Sequence, residues 1–193
     1  MAACLVLVRH GETEWSKRGQ HTGRTDIPLT DVGRQEALHL RDCLERWTFA
    51  RVLSSPLSRA LDTARLAGLG DDVETVDDLL EWDYGEYEGL TTSEIRASRP
   101  KWSVWADGGP GGESAADVGT RVDGLIKELR DVEGDVAVFA HAHVLRVLTA
   151  RWLGLAPADG RLFALDPATI SVLGYERETS VIHLWNSPCE ERP

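Results

Sequence analysis

The stretch Cys4-Leu5-Val6-Leu7-Val8-Arg9-His10-Gly11-Glu12-Thr13 joins a short apolar run directly to an arginine, a histidine and a glycine. Such a run, closed by a turn, predicts a strand over Cys4–Val8 that is buried on both faces. A second run of the same kind, Asp135–Ala140, ends in His141-Ala142-His143. Between them, Thr30 caps a helix whose apolar stripe is Ala37, Leu40, Leu44 and Trp47. Arg51–Ser54 predicts a short strand, Ser55-Pro56 opens a helix running to about Ala67, and Val73–Val76 predicts a third strand. Thr91-x-x-Glu94 is a capping box, and Ser114 caps a longer helix with its stripe at Val118, Val122, Leu125, Ile126, Leu129 and Val132. Val144–Leu153 continues as a helix, and Thr169–Tyr175 with Ser180–Trp185 alternate as a closing antiparallel hairpin. Strands alternating with helices predict an α/β fold, a mainly parallel sheet covered on both faces, with ligands at the carboxyl ends of its strands. His10 and His141 occupy two such ends.

Composition narrows the function classes. The 193 residues carry 32 acidic against 21 basic side chains, a formal charge of −11. A chain this acidic has no basic footprint for nucleic acid, so any anion must be caught locally. The length predicts one domain over residues 1–193 with a sizeable core. The longest apolar runs, Ala2–Val8 and Val136–Ala140, are far too short to span a membrane, and Arg9 follows the first at once, unlike a signal peptide. Cys4, Cys43 and Cys189 are odd in number and lack C-x-x-C spacing, so neither a disulfide framework nor a zinc ribbon is expected, and a reducing cytoplasm fits. Gly108-Gly109-Pro110-Gly111-Gly112 reads as a turn or mobile loop. Self-association into a homo-oligomer is left open.

Arg9 beside His10, with Gly11 permitting close backbone approach to a ligand, makes half of a positive pocket. Arg59, at the start of a helix after a strand end, and His141 complete it. An oxyanion is the natural guest. The competing reading is a metal held by His141-Ala142-His143, but Val144-Leu145 offers none of the further ligands a hydrolytic site needs. His143 and His39 read as packing or surface residues, His183 as structural, Trp102 and Trp105 as core; His21 is undecided between packing and substrate contact.

Leu7-Val8-Arg9-His10-Gly11-Glu12-Thr13 resembles the signature of the histidine phosphatase superfamily, the phosphoglycerate mutase-like proteins. The resemblance continues through Gly19–Asp26, Leu29-Thr30, Ser54–Ala60, Glu81–Gly89, Gly112–Ser114 and Ala140–Arg146, nearly the whole chain. It implies a three-layer α/β/α sandwich, a phosphohistidine intermediate, and neither metal nor cofactor. His10 matches the nucleophile, Arg9, Arg59 and His141 the phosphate clamp, and Glu81 the general acid that then activates water. The chemistry agrees. A neutral imidazole is nucleophilic near pH 7, Arg grips two phosphate oxygens in a fork, and a nearby phosphate dianion favours protonated Glu81. The resemblance also puts Ser16, Gln20, Thr22, Gly23 and Tyr84 near phosphate or substrate. Ala142 stands where relatives commonly have glycine, and is expected to keep ordinary φ with its N–H available.

Between Glu88 and Ser114 the basic residues are Arg96, Arg99 and Lys101, with no Arg-Arg pair to hold a bisphosphoglycerate carboxylate. The run Trp15–Gln20, the Glu81–Gly85 segment and the Asp107–Glu113 loop resemble the sedoheptulose-bisphosphatase-like and bacterial acid phosphatase branch more than a cofactor-dependent mutase. A phosphomonoesterase for a small phosphorylated substrate is expected, with a mutase or a non-catalytic phosphate-binding protein as the alternatives.

Overall fold

The computed structural model describes residues 4–189. The strands are β1 (Leu5–Arg9), β2 (Phe49–Ser54), β3 (Val73–Thr75), β4 (Asp135–Ala140), β5 (Thr169–Glu176) and β6 (Thr179–Pro188). The helices are α1 (Glu14–Lys17), α2 (Asp31–Leu44), α3 (Ser58–Leu66), α4 (Thr92–Ser98), α5 (Val104–Asp107), α6 (Ala115–Arg130) and α7 (Ala142–Trp152). They form one six-stranded sheet in the order β3-β2-β4-β1-β5-β6, parallel from β3 through β1, with β5 and β6 antiparallel. This is the expected mixed α/β sheet with its closing hairpin.

Alternation along the central strands divides the core. Leu5 and Leu7 of β1 and Val136, Val138 and Ala140 of β4 face the layer that contains α6 and α7, whereas Val6, Val8, Ala137 and Phe139 face α2 and α3. Two buried faces explain the unbroken apolar runs. Thr30, Thr91 and Ser114 cap their helices as expected, each accepting from the backbone N–H three residues on.

Four expectations change. The third helix starts at Ser58 because Ser55 still belongs to the ladder, donating its N–H to Phe139 O at 2.9 Å. Cys43 and Cys189 form a disulfide across 146 residues, leaving Cys4 free; the fold brings the end of β6 onto α2, which sequence spacing could not show. The argument for a reducing compartment falls with the unpaired cysteines. The glycine-rich loop is a packed brace. A Cβ at Gly109 would lie 1.9 Å from Tyr84 O, one at Gly112 2.3 Å from Asp83 O, and one at Gly85, at φ +54°, 2.1 Å from Pro110 O. Gly11, finally, admits a helix. Its missing side chain lets Gly33 of α2 approach, a Cβ there lying 2.3 Å from Gly33 O. No described helix is long and apolar enough to cross a membrane.

The Gly11–Gly33 contact, together with Thr30 N donating to Glu12 O at 2.9 Å and Glu12 N to Glu36 Oε2 at 2.8 Å, seats the loop after β1 on the start of α2. A Cβ at Gly33 would meet Glu12 O at 2.1 Å. Gly33→Ala should therefore lower stability by about 1–3 kcal/mol, measured by urea denaturation, despite alanine's better helix propensity. An unchanged or raised midpoint would show that the loop yields without cost.

Candidate active site

The register of β1 on β4 pairs Arg9 with Ala140, so the next residues, His10 and His141, emerge side by side from adjacent parallel strands. Their rings lie 5.1 Å apart between centroids. Each has a defined tautomer. The His10 Nδ1 lies 2.7 Å from Gly11 O, a carbonyl that can only accept, so the proton is on Nδ1 and Nε2 keeps its lone pair. Arg59 donates its Nε–H to His141 Nδ1 at 3.0 Å, which puts the His141 proton on Nε2, 2.8 Å from Ser55 Oγ. Burial, then the charges of Arg59 and Arg9, hold His10 well below the usual imidazole value; burial followed by Arg59 does the same for His141.

A cavity of about 220 Å³ opens beside His10. Of the expected residues it is lined by Arg9, His10, Ser16, Gln20, Thr22, Glu81, Tyr84 and Ala142. Arg59, His141 and Gly23 stand outside its wall. Arg59 is fully buried, and four of its N–H groups go to His141 and to the carbonyls of Thr22, Gly23 and Thr25. From the other side, Glu88 Oε1 accepts from Gly23 N at 2.8 Å and Thr25 N at 3.0 Å. The loop at 22–25 is thus held through both its donors and its acceptors. Gly23 belongs to this packing, since a Cβ there would lie 2.4 Å from Trp82 O. The Ser16 hydroxyl is engaged in the capping box of α1 with Thr13, and Ala142 begins α7 without positive φ, as expected.

Glu81 has a structural role that the sequence did not show. Its Oε1 accepts from Trp82 N and Val144 N, both at 2.9 Å, and its Oε2 from His143 N at 3.0 Å, so the carboxylate caps the start of α7. Burial pushes the carboxyl up, but the side chain and backbone N–H of His143 outweigh it and hold Glu81 well below the usual carboxylate range. Without a bound dianion it is ionised; the protonated state expected from the sequence is one beside a phosphate dianion.

Five cavity residues lie outside the expected set: Gly19, His21, His143, Arg146 and Leu165. His143 accompanies Ala142 in the first turn of α7, and Arg146 follows one turn later. Helical spacing from His141-Ala142-His143 could have placed both on the cavity side. The Arg146 guanidinium lies 4.6 Å over the Trp105 ring and donates Nε to Gly160 O at 3.1 Å. Burial, then His143, lowers His21 to about 4. Trp102 is core as expected, Trp105 packs on His143 at 5.1 Å, and His183 is exposed. His141 and His143 turn to different partners, Ser55 and Tyr84, rather than to a common point. Among the described residues no three His, Cys, Asp or Glu side chains form a metal-sized cluster.

This geometry of two neutral imidazoles and guanidinium groups at a parallel-sheet edge accompanies a family match over residues 5–188 to the histidine phosphatase superfamily, branch 1. The chain belongs to that superfamily. It is 44% identical to an acid phosphatase of Mycobacterium tuberculosis, over 95% of this chain and 94% of that protein. Identity to a sedoheptulose 1,7-bisphosphatase of Saccharomyces cerevisiae is 38%, over 95% and 82%. The solved structure of a Mycobacterium tuberculosis open reading frame product superposes with a TM-score of 0.91 at 40% identity, covering 97% of this chain and 99% of that one. Relatives named as phosphatases support a hydrolytic phosphatase here.

Because the native chain refuses protons at His10 and His141 that the unfolded chain accepts near pH 6.5, this superfamily member should lose stability as pH falls below that value. Urea midpoints measured against pH, with the two imidazole resonances followed by NMR, check the sign. An ordinary His10 titration near 6.5 would contradict the burial argument.

Proposed function

We propose that the chain is a metal-independent phosphomonoesterase for small phosphorylated metabolites, sugar phosphates or bisphosphates, working through a phosphohistidine on His10. The observation that carries this reading is the His10 tautomer: with Nδ1–H tied to Gly11 O, a basic Nε2 is left beside the cavity. In the reaction His10 Nε2 attacks phosphorus, the ester P–O bond breaks, and the departing oxygen takes a proton from Glu81. Glu81, now a carboxylate, draws a proton from water as that water attacks the phosphohistidine, releasing inorganic phosphate and freeing His10.

The charge on the equatorial oxygens falls to Arg9, with His141 and Arg59 behind His10. Arg9 Nη1 is anchored on Leu165 O, which fixes the guanidinium in the wall of the cavity. Arg59 contributes mainly charge and order, since most of its N–H groups hold the loop at 22–25. Hydrolysis is favoured over mutase transfer because Arg96 donates to Trp102 O and Arg99 to Tyr87 Oη, and neither lines the cavity. The names of the acid phosphatase and sedoheptulose bisphosphatase relatives support the same substrate class.

His10→Ala should abolish turnover and remove acid-labile phosphate from the protein after incubation with labelled substrate. Label retained at the wild-type level would reject His10 as nucleophile. In EDTA the wild-type protein should keep full activity, because guanidinium and imidazole groups supply the charge that a metal would bring. Activity lost to EDTA and restored by zinc or manganese would overturn metal independence.

A further inference from the structure

Glu81 poses a requirement that the residues above leave unmet. It is ionised in the substrate-free protein, yet as general acid it must carry a proton when the ester enters. His143 is placed to supply one. Its Nδ1 lies 2.8 Å from the Tyr84 hydroxyl and 3.9 Å from Glu81 Oε2, and no other described histidine has a carboxylate within 4.0 Å. The ring is fixed between Trp105 at 5.1 Å and Tyr84 at 5.8 Å, both half or fully buried, so the approach to Glu81 is built into the wall. On the carboxylate, Oε1 already accepts two backbone N–H groups and Oε2 only one, which leaves Oε2 as the oxygen with room for a proton.

We propose that Glu81 and His143 share a single catalytic proton, held on His143 Nδ1 between turnovers and passed to Glu81 Oε2 when the substrate phosphate enters. The inference rests on the reading of Glu81 as general acid. In the transfer a solvent water entering from the cavity bridges the 3.9 Å gap: it takes the proton as the Nδ1–H bond breaks and gives one of its own as the Oε2–H bond forms, imidazolium and carboxylate become neutral together, and the Tyr84 O–H turns to donate to the freed Nδ1 lone pair. The proton comes from solvent through the open cavity, and no oxidant or further reactant is required. A phosphate dianion disfavours a second negative charge at Glu81, which favours the transfer on binding.

The groups facing the pair are consistent with this assignment. Burial holds His10, His141 and His21 neutral, so none of them stores the proton near neutral pH. Burial, then the charges of Glu81 and Glu88, pushes the Tyr84 phenol well above its usual value, so it keeps its own hydrogen. Arg9, Arg59 and Arg146 all interact with Glu81 and favour its ionised form, leaving His143 as the neighbour that can exchange a proton with it.

The test is the pH profile of kcat on glycerol phosphate, whose alkoxide leaving group needs a proton, for wild type, His143→Gln and Glu81→Gln. His143→Gln keeps the backbone N–H to Glu81 but stores no proton. It should lose about tenfold or more at pH 7.5 and recover toward wild type near pH 5, an optimum moved to acid by about one pH unit or more. With p-nitrophenyl phosphate, whose leaving group departs without protonation, the loss should be much smaller. A pH-independent loss, or an unchanged profile, would overturn the shared proton while leaving Glu81 as the acid, provided Glu81→Gln is inactive. Full activity of Glu81→Gln would remove both readings.

Discussion

Five parallel Cα pairs between β1 and β4, from Leu5↔Val136 to Arg9↔Ala140, set the two buried imidazoles of the site side by side. Strand side chains alternate, so a slip of one residue would exchange the two buried faces, placing Val6 and Val8 where Leu5 and Leu7 now pack. The core on both sides of the sheet therefore fixes the register, and the register brings His10 beside His141. The hydrogen bond from His10 N to Ala140 O at 3.0 Å carries the ladder into the site itself. This is why the imidazoles need no loop to find each other.

What surrounds the imidazoles is held by contacts that leave no space for a side chain. Gly11 and Gly33 let the loop after β1 rest on α2, and Gly109 and Gly112 let the segment before α6 lie against Asp83 and Tyr84. Arg59 and Glu88 grip the backbone of residues 22–25 from opposite sides with opposite charge. Charged side chains in these places do structural work on carbonyls and amides, which have few other partners in so buried a position. The electropositive site of an acidic chain is thus local, made by Arg9 and the buried Arg59 at one end of the sheet.

Glu81 shows how one carboxylate meets two demands. As a cap it satisfies N–H groups that α7 cannot bond internally, and this stabilises its charge; as the proposed acid it would have to be neutral for part of the cycle. The neighbour to which the shared proton is assigned in our proposal, His143, is anchored by Tyr84, packed on Trp105 and 3.9 Å from the carboxylate. The helix that carries His143 also delivers the amides that hold Glu81, so cap and neighbouring imidazole arrive on one element.

The sequence by itself determined the α/β alternation, the capped helices at Thr30, Thr91 and Ser114, and the two histidines at strand ends, because strand period, cap chemistry and apolar runs are local properties. It also carried the superfamily, whose motifs lie in unbroken stretches from Leu7 to Arg146. Tertiary structure decided the rest. Whether Gly11 admits a ligand or Gly33, whether Gly108–Gly112 moves or braces Tyr84, and whether Cys43 finds Cys189 depend on elements far apart in the chain. Arg59 spends its donors on a loop, and His143 joins Glu81 rather than a metal or the surface, for the same reason: a side chain's role is set by the partners that folding brings within hydrogen-bond or Coulomb range. Local pattern specifies the elements; only their packing specifies those distances.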